Sequence, residues 1–196
     1  MRFFKINILV LLLFFSCNAI IQENENNISV DEISIPSIEI DKSKVDLKLN
    51  NGILYFRNTP YSGIVNEFYV DGNIKSKSEY YQGKRQGFFK GWYKDGMQWF
   101  KRSYVKGLKS GTHKGWHKNG KQMFEYHFND KGVYHGSVKD WHFNGILAKH
   151  FNFVLGKESG SQKMWDLKGK IRANFFTVNA ERHGLIGLKK CVSVLH

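Results

Sequence analysis

A glycine recurs at a nearly constant interval through most of this chain of 196 residues. The intervals are 24, 24, 25, 24 and 24 residues, and the glycines are Gly63, Gly87, Gly111, Gly136, Gly160 and Gly184. Five residues after each of the first five comes a large aromatic residue: Phe68, Trp92, Trp116, Trp141 and Trp165. A fixed period of this length indicates a repeat protein, in which each unit buries its apolar surface against its neighbours.

Each unit is predicted to be a β-hairpin. A second glycine follows four residues after the aromatic position, at Gly72, Gly96, Gly120, Gly145 and Gly169. In four of the five units Asp or Asn precedes this glycine, and such pairs favour tight hairpin turns, for which we expect type I′ geometry. After Gly120 the residues Phe124, Tyr126 and Phe128 alternate with polar residues. This period of two places the three rings on one face of a strand.

A third series of glycines predicts the turn that leads from one unit to the next. It consists of Gly83, Gly107, Gly132 and Gly156, with Ala180 in the last unit. The extra residue of the longer interval falls at Asp130-Lys131. Because a single hairpin is marginal in water, we predict that residues 51–196 form one all-β domain. Its architecture is an elongated, twisted antiparallel sheet of tandem hairpins with about 10–12 strands, in which the five aromatic positions form a structural ladder.

The first 17 residues predict export and anchoring. Arg2 and Lys5 precede an apolar run over 8–15, which is too short to span a membrane and is typical of a signal peptide. Residues 13–17 resemble a bacterial lipobox, and this resemblance implies that Cys17 becomes the lipid-modified N-terminus. The alternative is an ordinary secretory signal in which Cys17 has no role. We expect a lipid-anchored protein of the bacterial cell envelope, on the periplasmic or the surface side of the outer membrane.

Residues 18–50 predict an acidic, flexible tether between the lipid and the repeat domain. This segment has a net charge of −4 and contains no glycine and no aromatic residue. Isolated isoleucines alternate with polar residues around Ile35, Ile38 and Ile40, which leaves a weak strand open as an alternative.

The chain has a net charge of +13, so the basic excess belongs to the repeat domain. A basic surface beside a membrane favours contact with anionic lipid, and export argues against nucleic acid as a partner. The alternative is that lysine recurs because it keeps strand edges and turns soluble.

Nothing in the sequence predicts an enzyme or a cofactor site. The chain has no phosphate-binding loop, serine elbow or paired-carboxylate motif. Cys191 is the one thiol besides Cys17, and the sequence places only Lys189 and Lys190 beside it, not a general base. We expect Cys191 to be buried and unreactive in a capping strand, with an intermolecular disulfide as the alternative in an oxidising compartment.

The histidines predict no metal site. His113 and His117 are four residues apart, which on a strand separates them by about 13 Å, too far for one ion. His117 and His142 fill the repeat position held by Tyr93, so we expect them to be surface residues beside the turns. His135 and His183 each directly precede a glycine of the first series, so they too occupy one repeat position.

Residues 87–96 and 111–120 share the order Gly, Lys, Trp, Asp or Asn, Gly. These segments resemble the MORN-repeat variant of YwqK-type antitoxin-annotated proteins, and residues 60–63 and 172–191 are similar to the opening and closing segments of its lipoprotein members. The resemblance covers residues 52–192 and implies a β-hairpin repeat scaffold. Our leading expectation is a non-enzymatic, membrane-anchored scaffold that binds a protein partner or an anionic envelope surface. The family name implies the alternative, an antitoxin-like protein that neutralises a specific protein partner.

Overall fold

The structure is a computed structural model that describes residues 33–187. The predicted signal peptide, Cys17, residues 18–32 of the predicted tether and Cys191 lie outside these residues. Within them no helix is long and apolar enough to cross a membrane. The described segment consists of strands and their connections. The strands are β1 (Glu39–Asp41), β2 (Leu47–Asn50), β3 (Ile53–Phe56), β4 (Thr59–Pro60), β5 (Gly63–Phe68), β6 (Ile74–Tyr81), β7 (Lys84–Trp92), β8 (Gln98–Val105), β9 (Leu108–Trp116), β10 (Gln122–Phe128), β11 (Tyr134–Trp141), β12 (Leu147–Val154), β13 (Lys157–Glu158), β14 (Gly160–Trp165), β15 (Ile171–Val178) and β16 (Glu181–Leu185).

Thirteen of the strands form one sheet. Its order is β1-β5-β6-β7-β8-β9-β10-β11-β12-β14-β15-β16, and β13 pairs with β12 at the side of this path. Only β1 is parallel to its neighbour in the described sheet. From β5 onward the strands follow chain order as successive hairpins, and the sheet does not close into a barrel. The predicted all-β fold of tandem antiparallel hairpins is therefore confirmed.

Two strands precede the predicted domain boundary at residue 51. Strand β1 adds to the edge of the main sheet, and β2 pairs with β3 in a separate three-stranded sheet with β4. Ile40 and Leu47 from these strands pack against a buried cluster formed by Leu54, Tyr61, Val65 and Tyr80. This apolar contact explains why part of the segment predicted as tether, residues 39–50, is structured: its few apolar residues have a partner surface.

The hairpin turns do not have the predicted type I′ geometry. In the turn over 69–73 the amide of Gly72 donates to the carbonyl of Tyr69 at 3.0 Å, and the amide of Tyr69 donates to the carbonyl of Asn73 at 2.8 Å. Gly72 has a φ of +86°, whereas the φ of Asp71 is not positive. This is a three-residue loop, a type I turn followed by a left-handed glycine in a G1 bulge. The same pattern recurs at Gly96, Gly120, Gly145 and Gly169.

Type I′ geometry occurs instead at the turns between units. Gln82-Gly83, Lys106-Gly107 and Leu155-Gly156 are two-residue loops in which both residues have positive φ. Gly132 lies in a three-residue loop, where its amide donates to the carbonyl of Asn129 at 3.0 Å. The place predicted for the extra residue of the 25-residue unit is therefore confirmed.

Most buried side chains of the main sheet lie on one face, which we call the core face. It carries Val65, Phe100, Phe124, Val138 and Phe175, each at most 8% exposed. The three-stranded sheet covers this face only near β5 and β6. Elsewhere the rings bury one another, with centroids 4.8 Å apart for Phe89 and Phe100 and 5.8 Å apart for Phe151 and Phe175.

Two arginine side chains complete the packing of the core face. The guanidinium of Arg85 lies 4.7 Å from the ring centre of Phe89, and that of Arg102 lies 4.6 Å from the ring centre of Phe100. Such cation–π contacts are worth about 0.5–2 kcal/mol each, more when water is excluded. The long arginine stems also cover apolar ring surface.

A hydrogen bond of constant register ties each unit to the next. The side chain that follows the ladder aromatic donates to the backbone carbonyl of the tryptophan one unit later. Tyr69 reaches Trp92 and Tyr93 reaches Trp116, both at 2.9 Å. In the later units the Nε2 of His117 donates to the carbonyl of Trp141 at 2.9 Å, and the Nε2 of His142 donates to that of Trp165 at 3.0 Å. His117 and His142 are therefore half-buried structural donors rather than freely exposed surface residues.

Replacing Tyr93 with Phe is expected to lower the free energy of unfolding by about 1–2 kcal/mol. The ring stays in place, but the carbonyl of Trp116 loses its side-chain donor in a partly buried position. Equilibrium urea unfolding followed by tryptophan fluorescence measures the loss. Tyr69→Phe, which removes the equivalent bond one unit earlier, should cost a similar amount, and a change below about 0.3 kcal/mol in both variants would contradict a role for this bond in stability.

Candidate functional site

A row of mainly basic residues crosses the main sheet at mid-strand. Lys77 is paired directly opposite Lys90, Lys90 opposite Lys101, and Lys101 opposite Lys114. The row continues through the next four strands of the sheet order. We call the whole set the lysine row: Lys77, Lys90, Lys101, Lys114, Glu125, Lys139, His150 and Lys163. Neighbouring strands lie about 4.8 Å apart, so these eight positions extend over roughly 34 Å.

The lysine row lies on the face opposite the core face. A Cβ built on Gly91 would meet the ring of Phe100, and one on Gly115 would meet the ring of Phe124, so both glycines face the buried aromatic residues. Successive residues of a strand point to opposite faces. Lys90 and Lys114, which precede these glycines, therefore project from the other side, which we call the lysine face.

The tryptophans predicted as a structural ladder share the lysine face. Each follows a lysine of the row by two residues, as Trp92 follows Lys90 and Trp116 follows Lys114. The later pairs are Lys139 with Trp141 and Lys163 with Trp165. All four indoles are half-buried, and the first ladder residue, Phe68, is 41% exposed. The ladder is therefore a partly accessible aromatic strip beside the lysine row, and the core lies on the opposite face.

Few carboxylates neutralise the row. Glu39 binds Lys77 at 2.8 Å and Glu125 binds Lys114 at 3.1 Å. Within residues 33–187, no carboxylate lies within 4.0 Å of the Nζ atoms of the other lysines of the row, Lys90, Lys101, Lys139 and Lys163. Like charges placed directly opposite each other destabilise a sheet. Protection of edges and turns does not explain these lysines, because they lie at mid-strand in interior strands.

Two members of the row, His150 and Glu125, have pKa values below their ordinary ones. Burial, reinforced by Lys139 and Lys163, lowers the pKa of His150, so this imidazole is neutral at pH 7. Burial opposes the shift at Glu125, but hydrogen bonds from Lys114 and Gln122 hold the pKa of its carboxyl below its usual range. The row therefore presents six ammonium groups and one carboxylate at neutral pH.

A second polar cluster lies on the core face and is satisfied internally. The hydroxyl of Tyr126 donates to Asp140 at 2.5 Å, and the ammonium of Lys149 lies 2.5 Å from the other oxygen of that carboxylate. Burial, together with the bond to Asp140, raises the pKa of Tyr126. Lys149 and Asp140 form a structural ion pair within the aromatic packing, and the Tyr126 hydroxyl donates to the same carboxylate.

His113 is the one histidine that the structure places in the core of the described region. It is 2% exposed, and its Nε2 donates to the carbonyl of Ser103 at 2.8 Å. Its position, two residues after the first glycine of the unit, holds Val138 and Gln162 in later units, and both are buried. Residues 33–187 contain no group of three or more His, Cys, Asp or Glu side chains placed to hold a metal ion.

Replacing His113 with Gln is expected to remove part of the pH dependence of stability. Burial lowers the pKa of His113, and the nearby Arg102 and Lys109 add to the effect. The unfolded chain therefore binds a proton more readily than the folded chain. Stability that is fully present above the ordinary histidine pKa of about 6.5 is lost as the pH falls below it. Glutamine does not titrate, and it keeps a hydrogen-bond donor in this position. Gln162, at the same repeat position, already donates to a backbone carbonyl.

Urea unfolding at pH 7.5, 6.0 and 5.0 tests this expectation. His183→Gln is the matched control, since His183 is exposed in the last described strand. The control should retain the full decline in stability on acidification, and His113→Gln should retain only the part that other groups such as His150 supply. An unchanged decline in His113→Gln would show that this imidazole is not the titrating group.

A scan of protein-family models and a search of the curated proteins found no match to this chain. The candidate functional residues therefore rest on the geometry alone. Sequence reasoning found the tryptophans but missed the lysine row as a unit. Its signal was present, because lysine precedes the ladder tryptophan by two residues in four successive units.

Proposed function

We propose that this chain is a non-enzymatic, MORN-like repeat scaffold of the bacterial cell envelope. A lipid on Cys17 holds it on a membrane, and its lysine face binds a protein partner or an anionic envelope surface. The observation that carries the proposal is the first half of the lysine row, in which four lysines face each other in sequence on adjacent strands.

The row has the features of a binding surface rather than of a structural element. Opposed lysines cost stability in the free protein, and proteins tolerate such local conflicts mainly at functional sites. Six of the eight positions are lysines, and the positions repeat at the strand spacing, so the surface suits an extended anionic partner. The half-buried tryptophans along the same face add apolar contact area beside the charges.

Crosslinking and capture from membranes tests the anchor and the surface separately. The wild-type chain should fractionate with membranes, and Cys17→Ser should release it once the signal is removed. Crosslinked partners should be lost when Lys90, Lys101 and Lys139 are changed to Gln. Membrane retention of processed Cys17→Ser would exclude the lipid anchor. A single stoichiometric protein that stays bound to the lysine variant would favour the antitoxin-like alternative.

A further inference from the structure

We propose that the lysine row binds a linear anionic glycan, a polymer that carries about one phosphate or carboxylate per sugar or polyol unit. This inference rests on the proposed function, which places the chain in the envelope, and it names the chemistry of the partner. The binding site consists of the row and of the aromatic strip beside it, formed by the ladder residues.

The charge pattern of the row matches a line of anions. Six lysines occupy eight successive positions, and four of them have no carboxylate partner within residues 33–187. The spacing of about 4.8 Å between neighbouring positions is shorter than the Debye length of about 8 Å at physiological salt. Each bound anion therefore interacts with more than one lysine, and binding relieves the repulsion between opposed ammonium groups.

The course of the row favours a flexible chain over a flat lipid surface. Adjacent strands of a sheet are rotated by about 20–25° on average. Over the seven steps from Lys77 to Lys163 this rotation accumulates to roughly 140–175°. A flat bilayer meets only part of such a row, whereas a linear polymer can follow it from end to end.

The aromatic strip favours sugar units over nucleobases. Proteins that bind single-stranded nucleic acid stack each base on an exposed aromatic face. Trp92, Trp116, Trp141 and Trp165 are half-buried and offer only part of each ring. Partly covered indoles provide an apolar border along which the ring hydrogens of a glycan can pack without insertion.

The test measures binding to the purified full-length protein in a neutral detergent. The probe is a fluorescein-labelled linear polyuronate of about ten units, at several salt concentrations. The row variant changes to Gln the four lysines that lack a carboxylate partner: Lys90, Lys101, Lys139 and Lys163. The matched control makes the same change in charge at exposed turn or edge lysines: Lys106, Lys131, Lys157 and Lys168.

The wild-type chain and the control should bind the polyuronate with affinities within about threefold of each other. The row variant should bind it at least about 30-fold more weakly, and the slope of log K against log salt should fall by about 3, since each cation that contacts an anionic polymer contributes roughly 0.7. The proton resonances of His150 should titrate at higher pH in the bound wild-type protein, because the polymer neutralises Lys139 and Lys163 beside it.

Three outcomes would overturn the inference. Equal loss in the row variant and the control would reduce binding to general charge. Tighter binding of a decadeoxythymidylate than of the polyuronate would identify nucleic acid as the better ligand. Displacement of the polyuronate by phosphatidylglycerol mixed into the micelles would identify an anionic lipid surface. None of these results depends on Cys17, so the anchoring part of the proposed function stands or falls separately.

Discussion

Replacing Phe124 with Ala is expected to lower the free energy of unfolding by about 3–5 kcal/mol, the range for removing a buried aromatic side chain. Phe124 is 8% exposed and lies at the centre of the core face. Its ring stacks on Tyr126 with centroids 4.8 Å apart, and the guanidinium of Arg102 lies 5.7 Å from its centre. Both contacts disappear with the ring, and the cavity opens between two strands. Urea unfolding followed by circular dichroism measures the loss.

The variant Trp116→Ala shows whether the face that carries Phe124 is the core. Trp116 is the larger residue and belongs to the ladder predicted from the sequence, where full burial would imply a loss of about 3–5 kcal/mol. It lies half-buried on the lysine face, so we expect about half that loss. A larger loss for Trp116→Ala than for Phe124→Ala would mean that the core lies on the lysine face and not on the face that carries Phe124.

Replacing Gly115 with Ala is expected to cost about 1–3 kcal/mol, the range for overpacking a filled core. The new methyl group would lie well inside contact distance of the ring of Phe124, which covers this glycine. The backbone of Gly115 does not have positive φ, so the loss measures the steric conflict and not backbone strain. Thermal unfolding of the single variant gives the size of the effect.

A double-mutant cycle identifies the source of that loss. Phe124→Leu removes the part of the ring that the methyl group meets, so Gly115→Ala should cost less in the Phe124→Leu background than in the wild type. We expect an interaction energy of about 0.5–3 kcal/mol between the two positions. Strict additivity would mean that Gly115→Ala acts through something other than contact with Phe124.

The periodic glycines made the fold predictable because they mark backbone positions that other residues occupy at a cost. Gly72 and its counterparts have positive φ at the hairpin turns, and Gly83 and its counterparts have positive φ at the turns between units. Their spacing therefore located the turns between the strands of the repeat units. The type of turn was not predictable from Asp71-Gly72, because this pair fits a two-residue and a three-residue loop equally well.

The side of the sheet that forms the core was the main feature that sequence reasoning did not determine. Trp116 is the largest of the repeated apolar residues, which favours a core on its face. It follows Lys114 by two residues and therefore shares a face with it, and the lysine favours exposure of that same face. The informative residue was Gly115 between them, since a small residue in mid-strand leaves room for a ring from the next strand. A weak strand around Ile40 was an open alternative, but the parallel pairing of β1 with β5 was not predictable, because it depends on contacts distant in sequence.

The hydrogen bonds between units have a constant register, so whole units can be removed or added without a change in these bonds. Excision of residues 88–111 removes one period, and the hydroxyl of Tyr69 then stands in the same relation to Trp116 as it now does to Trp92. Lys77 would come opposite Lys114, and the lysine row would lose Lys90 and Lys101 without a new kind of contact. Duplication of a unit has the opposite effect. The number of units therefore sets the length of the lysine row. A change in gene length by whole units would change the length of the partner that the proposed site accommodates.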